Sequence, residues 1–392
     1  MRWHVELLAW VKKMIDTICF RIDLCPGQEE VITKKLTVLS KVDGSTGEEM
    51  SRFCVGSLAG SWDSRIACSI QDREWKWVDI DDHPKGGRTI QVICDKWLKV
   101  EFSVQKWLFG MNCFTYLSST AIEACYHFAL WLNESLGVRL PDLSTWGILR
   151  VDMGHVVKFP DNATMLQYLE CMKHVEYPRR KLRAITYQTT VMWVGGASVL
   201  KLYGKESEFK AHDKRRISGY FKDSDVGNYV SDRLDGVLRV ELGLRKSLLQ
   251  SRGISRFFDL ENFDLTDLWE KNMAKIGLGN TTLRIWTASD ARVMLKMHCV
   301  KGSHISADAA FAIWTDIVTS GRKFARSQVA DKQFYRACKI FRDIGLSTVS
   351  NLNQEEILPM PADLTPYVDH DLLGFLATHS ADLNYDYLCA VA

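Results

Sequence analysis

Between Val199 and Phe209 the chain reads VLKLYGKESEF. Alternate residues of a strand share a face. Leu200 and Leu202 therefore take one side, Lys201, Tyr203 and Lys205 the other, and Glu206 and Glu208 lie just beyond. A phenol, two ammonium groups and paired carboxylates at one strand end suit phosphoryl transfer. The Tyr203 hydroxyl, with a reference pKa of about 10, attacks a phosphodiester only if its neighbours help it. Lys201 and Lys205 would neutralise the phosphate oxygens as charge develops. Carboxylates would hold Mg2+ or Mn2+, usually one or two of them directly, with water completing the shell. Attack would leave a phosphotyrosyl diester, so the bond energy is kept and rejoining needs no ATP.

Further acids follow the same logic. The chain carries three arginine-aliphatic-acid triplets, Arg21-Ile22-Asp23, Arg150-Val151-Asp152 and Arg239-Val240-Glu241. In each, the arginine and the carboxylate share one strand face. Leu149, Val151 and Met153 are expected on the core face of one strand, Leu238, Val240 and Leu242 on that of another, and His155 on the core face too. Were these strands neighbours, Asp152, Glu208 and Glu241 would meet as a metal-ligand set beside Tyr203. The same pattern is also that of a cross-strand charge ladder on an exposed sheet, with Tyr203 as a packing residue.

The 392 residues carry a formal net charge of +2, yet from Tyr177 to Arg256 there are 17 Lys or Arg against 8 Asp or Glu. A basic centre in a nearly neutral chain suits a polyanion. YPRRKLR and KAHDKRR flank the Tyr203 segment. They put forward Arg179, Arg180, Lys181, Arg183, Lys214, Arg215 and Arg216 as phosphate-backbone contacts, and Arg150, Arg239, Arg245 and Lys246 extend the set. A solvated basic surface with no partner would look the same. No uninterrupted apolar stretch reaches membrane-spanning length. The GG…GK at Gly195–Lys205 has the wrong spacing for a phosphate-binding loop, and Glu206 stands where Ser or Thr belongs. No ATPase or helicase motif is visible. Eleven cysteines without CxxC or zinc spacing point to a reducing compartment, most of them as small buried apolar groups.

A sheet must position these residues. A short amphipathic helix precedes a strand that begins near Ile15. Alternation with Gly breaks over 40–110 predicts strands or hairpins, and a buried helix is expected over Thr120–Leu136. A strand follows at 146–159, then a helix that Asn162 can cap. LRAITYQTTVMWV and VLKLYG form a hairpin around Gly195-Gly196. A polar helical stretch covers about 205–230, and GVLRVELGL is the next strand. The expected architecture is α+β. Residues 1–13 precede the sheet, 14–250 are expected to form a domain on a mostly antiparallel sheet with flanking helices, and 251–392 a helical domain. Within the last, 321–346 reads as a basic stretch and a helix with Phe334, Ala337, Ile340 and Phe341 at core spacing. That helix suits helix-turn-helix reading of DNA and plain packing equally.

The stretches MIDTICFRIDL, WLFGMNCF, ILRVD, TTVMWVGGASVLKLYGKESE and VLRVELGLRKSLLQSRGI, in this order and spacing, resemble the filamentous-phage replication initiators, the gene II protein family. QFYRACKIFRDIGLSTVSNL resembles that family's C-terminal region, so the likeness runs over nearly the whole chain from Met14. It implies a rolling-circle initiator that nicks one strand of supercoiled double-stranded origin DNA through a covalent phosphotyrosine. The nick leaves a 3′-OH to prime host polymerase, and a host helicase separates the strands. A second cut circularises the displaced single strand, in the cytoplasm of the bacterial host. A dimer on DNA is compatible with this scheme. The family's Y-x-K-x-x-E segment falls on Tyr203, Lys205 and Glu208, with Tyr220 and Tyr229 as rival nucleophiles. Its arginine-acid strands fall on Arg150–Asp152 and Arg239–Glu241. The implied fold is HUH-like, but the His-hydrophobic-His metal triplet of HUH nickases is absent, so metal binding would rest on carboxylates. A non-catalytic origin-binding regulator and a plasmid-type initiator or relaxase are the alternatives.

Overall fold

The computed structural model describes residues 15–42, 49–59, 65–71, 75–80, 88–93, 96–113, 120–173, 175, 177, 179–183, 189–276, 284–299, 304–346, 348, 358–359, 367 and 369–379. The amphipathic segment expected at the N-terminus lies outside them. Among the described residues, twelve strands occupy the first part of the chain: β1 (Ile15–Asp23), β2 (Thr37–Val42), β3 (Glu49–Ala59), β4 (Arg65–Gln71), β5 (Trp75–Ile80), β6 (Arg88–Ile93), β7 (Trp97–Ser103), β8 (Gly147–Lys158), β9 (Lys181–Arg183), β10 (Thr190–Val194), β11 (Ser198–Gly204) and β12 (Val237–Arg245). Ten of them form one sheet in the order β2-β3-β4-β7-β1-β8-β12-β11-β10-β9, while β5 and β6 pair with each other. Neighbours in the large sheet run antiparallel throughout, so the expected α+β class with an antiparallel sheet is the one observed.

Helices flank this sheet: α1 (Gln28–Thr33), α2 (Val104–Phe109), α3 (Thr120–Leu136), α4 (Asn162–Met172), α5 (Lys205–His212), α6 (Lys214–Phe221), α7 (Ser224–Arg233) and α8 (Lys246–Gln250). The expected helix over Thr120–Leu136 is α3, and Phe128 from it stacks on Phe102 of β7 with ring centroids 3.9 Å apart. The cap of α4 is Asp161 rather than Asn162: the Asp161 carboxylate accepts from Thr164 N, as an N-cap does. Asn162 instead accepts from Gly236 N at 2.8 Å and ties the start of α4 to the loop before β12. The polar stretch after β11 folds as the three short helices α5 to α7.

Val191, Trp193, Leu200, Leu202, Leu238, Val240 and Leu242 are all buried in one apolar core with Met165 and Leu169 of α4. Each such side chain contributes roughly 1.5–3 kcal/mol by leaving water. Cys68, Cys113, Cys125 and Cys171 are free and buried in the same core; Cys19 is free and buried opposite Arg150 on the polar face, and Cys25 is exposed. This core does not stop at residue 250. It continues through α9 (Phe257–Glu261) and α10 (Thr266–Ala274) to Ile276. A second core, from Trp286 to Leu346, is built from α11 (Ala288–His298), α12 (Ala307–Ser320), α13 (Arg322–Gln328) and α14 (Asp331–Asp343). The chain then returns: Tyr367 N donates to Val156 O of β8, and Leu372 of α15 (His370–His379) is buried in the sheet's core. Among the described residues, no helix is long and apolar enough to cross a membrane.

Candidate active site

Four adjacent strands bring the chemistry together. β11 lies against β12 with Lys201 opposite Glu241 and Tyr203 opposite Arg239. β12 lies against β8 with Glu241 opposite Gly154 and Gly243 opposite Asp152. β8 in turn pairs with β1, where Asp16 sits in a register shift between Ile15 and Thr17. The polar faces of these strands therefore form one continuous surface. Two glycines make room on it: a Cβ at Gly154 would meet Arg239 Nη2 at 2.8 Å, and one at Gly243 would meet Asp152 Oδ1 at 2.8 Å.

The Tyr203 hydroxyl donates to Glu241 Oε2 at 3.2 Å, and Lys201 Nζ donates to Glu241 Oε1 at 2.5 Å. Arg239 Nη2 meets Asp16 Oδ2 at 3.0 Å, and its Nη1 donates to Asn112 O at 3.0 Å. Lys205 donates to Asn112 Oδ1 at 2.6 Å and pairs with Glu208 on the first turn of α5. Its ammonium also lies 5.8 Å from the Tyr203 ring centroid. Arg150 bridges Asp152 at 3.0 Å and Glu101 at 2.8 Å. Arg239 and Lys205 are fully buried, while Lys201 and Arg150 retain 38% and 34% side-chain exposure. The cluster is thus closed on the Arg239 side and open to solvent on the Lys201 side.

Its electrostatics follow from burial and proximity. Burial works against ionisation of Glu241, but Lys201 and then Arg239 outweigh it and hold the carboxyl below its usual range. Burial, and then the charge of Glu241, push Asp152 up to about 7. The Tyr203 phenol is raised well above its ordinary value by burial and by Glu241, against the pull of Arg239. At rest it is therefore a neutral donor. Burial favours the neutral form of Lys205, yet Cys113 and Glu208 more than compensate and keep it charged.

A sequence profile for the N-terminal region of the replication-associated gene II protein matches residues 14–263. The chain belongs to this family of filamentous-phage replication proteins. It is also 24% identical over 292 residues to the replication-associated gene II protein of Salmonella phage IKe, covering 65% of this chain and 68% of that one. No solved structure matches it.

Within this gene II family chain, the structure joins Tyr203, Lys201, Glu241 and Asp152 as the triplet pattern suggested, and it corrects several other assignments. Asp152, Glu208 and Glu241 do not form one ligand set: among the described residues, no three His, Cys, Asp or Glu groups are placed to hold a metal ion. Glu208 is held by Lys205, on the α5 side of Tyr203. Asp152 and Glu241 offer hard carboxylate oxygens from neighbouring strands, the donor type that Mg2+ or Mn2+ takes. Arg239 cannot be a DNA contact, because it is fully buried and committed to Asp16. Lys205 is buried as well, so it supports Glu208 and the phenol ring rather than touching phosphate. Arg216 is bound to Gly110 O and Asp213. The Arg21–Asp23 pair closes on itself at 2.8 Å, at a separate cleft of about 370 Å³.

Leu149 is only partly buried where Ile148 is buried, because a register shift beside β1 offsets the alternation there. His155 does face the core, against Trp269 at 4.9 Å, and burial lowers it to about 3. The rival phenol of Tyr229 packs at a tilt against Phe375, and Tyr220 packs edge-on against Phe221. Arg179, Lys181, Arg215, Arg245 and Lys246 are exposed, Arg180 and Lys214 are half-buried, and the Arg183 side chain lies outside the described residues. Asp16, Asn112 and Gln105, whose Oε1 accepts from Arg239 Nη1 at 3.5 Å, were missed. The signal for Asp16 was an acid inside the apolar run MIDTICF; the other two give none.

Proposed function

We propose that this chain is a strand-specific DNA nicking and joining enzyme that starts rolling-circle replication of a filamentous phage. The observation that supports this most is the Tyr203–Glu241–Lys201 contact at the open side of a buried ion network. Tyr203 Oη attacks the scissile phosphorus, the Tyr–O–P bond forms and the bond from phosphorus to the 3′-oxygen breaks. The phenolic proton passes to Glu241 Oε2, which already accepts it as a hydrogen bond. The leaving 3′-oxygen takes a proton from water and becomes the primer for host polymerase. Lys201 stands where charge grows on the phosphate oxygens. Asp152 and Glu241 are the residues that would hold Mg2+ or Mn2+, and the ion would supply further neutralisation of that charge. Attack by a 3′-OH on the phosphotyrosyl diester reverses the step and rejoins the displaced strand. A host helicase separates the strands, and the setting is the cytoplasm of the bacterial host.

A non-catalytic origin-binding regulator is the second reading. It is favoured by the pairing of every acid in the cluster with a cation, as in a purely structural network. A supercoiled plasmid carrying the phage origin separates the two. With Mg2+ the enzyme gives nicked circles and a covalent protein–DNA adduct, and Tyr203→Phe abolishes both. A binder retards the plasmid on a gel without nicking it, and Tyr203→Phe changes nothing.

A further inference from the structure

A cleft of about 850 Å³ opens where the β9 end of the large sheet meets the junction of α12 and α13. Five cations line it: Lys173 after α4, Arg179 and Arg180 before β9, Lys275 after α10, and Arg322 at the start of α13. Among the described residues, no Asp or Glu lines it. The chain is nearly balanced, with 50 Lys and Arg against 48 Asp and Glu, so an ordinary surface concavity of this size would include acids. Among the described residues, Lys173 pairs with Glu170, but no carboxylate pairs with the other four.

Cations crowded in one concavity repel one another, and the structure holds them there. The Arg180 guanidinium lies 5.0 Å, and the Lys275 ammonium 5.9 Å, from the centroid of the same Tyr177 ring. That ring is buried, and its hydroxyl is bonded to Asn272. Arg180 also donates to Ser198 Oγ at 2.6 Å. Arg179 adopts φ 61, a left-handed conformation that arginine rarely takes and glycine takes freely. The cleft is also on the other side of the sheet from Tyr203. Trp193 and Leu182, both in its lining, are cross-strand partners, and Trp193 pairs with Leu200. Leu200 points away from the face that carries Lys201 and Tyr203.

We propose that this cleft is a second DNA site, which grips the backbone phosphates of single-stranded DNA away from the reacting phosphate. Fixed cations from three separate parts of the chain, with no acid among the described lining residues, match a run of phosphates better than one small anion. A few unpaired nucleotides enter a cleft of this volume. A duplex, a stiff rod with its phosphates on the outside, meets it only at the rim. The inference rests on the DNA-processing reading and adds a task to it: an enzyme that cuts a strand and later rejoins it must retain the strand while its end is free.

Fluorescence anisotropy of the full-length protein tests this, with a labelled oligothymidylate of about 16 nucleotides and a duplex of equal length. The variant Arg179→Ala/Lys275→Ala/Arg322→Ala alters only exposed side chains, and an unchanged circular dichroism melt verifies its fold. Single-strand affinity should fall at least tenfold, and the slope of log affinity against log salt should shrink by about 2, or roughly 0.7 for each lost phosphate contact. Duplex affinity should change less than twofold, and the Arg179→Lys/Arg322→Lys variant should keep the full slope. An unchanged single-strand affinity and slope would overturn the proposal, and an equal loss on single strand and duplex would overturn its strand assignment. Tyr203→Phe should bind the oligothymidylate as tightly as wild type. A Tyr203→Phe variant that still nicks would therefore sink the catalytic reading while leaving the binding result to stand or fall on its own.

Discussion

Arg239 shows how far a residue's role depends on what surrounds it. Its triplet marked it as a cation beside an acid, and the natural expectation was a DNA contact. In the fold it is fully buried, it neutralises Asp16, and it lies within electrostatic reach of Tyr203 and Glu241. Arg239→Met should cost about 3–5 kcal/mol in chemical denaturation, because it strands a buried carboxylate. Asp16→Leu/Arg239→Met should cost less than the single change, because no charge is then left unpaired. Asp152 gives a pH-dependent prediction. Its folded pKa is about 7 against an ordinary 3.8, so the folded state binds this proton more tightly than the unfolded state does. Wild-type stability contributed by the protonated form is lost as pH rises between those values. Asp152→Asn carries no such proton, so its stability relative to wild type should grow from about pH 4 to about pH 7 and then level. Urea midpoints across that range check it, and a constant difference would contradict it. The acid-cation pattern itself was legible because i and i+2 share a face whatever the partner strands are. Which cation pairs with which acid was not legible, since that depends on register.

At the scale of elements, the site exists because β1, β8, β12 and β11 are neighbours in the sheet and Gly154 leaves the surface open for a large guanidinium. Gly154→Ala should push Arg239 off Asp16, since the new Cβ would sit 2.8 Å from Nη2 and 3.2 Å from Val240 O. A loss of about 1–3 kcal/mol is expected from such overpacking. Nicking activity should fall further than stability, as measured by denaturation beside plasmid nicking. The strands themselves were readable from period-2 alternation, and the β10–β11 hairpin from Gly195-Gly196. The register shifts at Asp16 and Leu149 were not, because a bulge changes which residues face the core without changing composition. Nor was the cover that α2 and Asn112 place over Arg239: nothing in a strand's own sequence shows what packs on its polar face.

Across the whole molecule, the apolar core of the sheet ends at Ile276 and takes in Leu372 from the far end of the chain. The helices from 286 to 346 keep a core of their own. Truncation after residue 346 would remove the Arg233–Asp369 pair, the Tyr367–Val156 hydrogen bond and the burial of Leu372. It should destabilise the sheet by about 2–5 kcal/mol, comparable to a large core deletion, although every residue near Tyr203 is kept; a thermal melt of the shortened chain reports it. The proposed chemistry depends above all on Tyr203 bonding covalently to DNA. Full-length protein incubated with Mg2+ and a single-stranded fragment of the phage origin, then digested with trypsin, reports this by mass. The nucleotide mass is expected on the peptide Leu202-Tyr203-Gly204-Lys205. An adduct on the peptide that carries Tyr220 or Tyr229, or nicked DNA with no adduct at all, would contradict it.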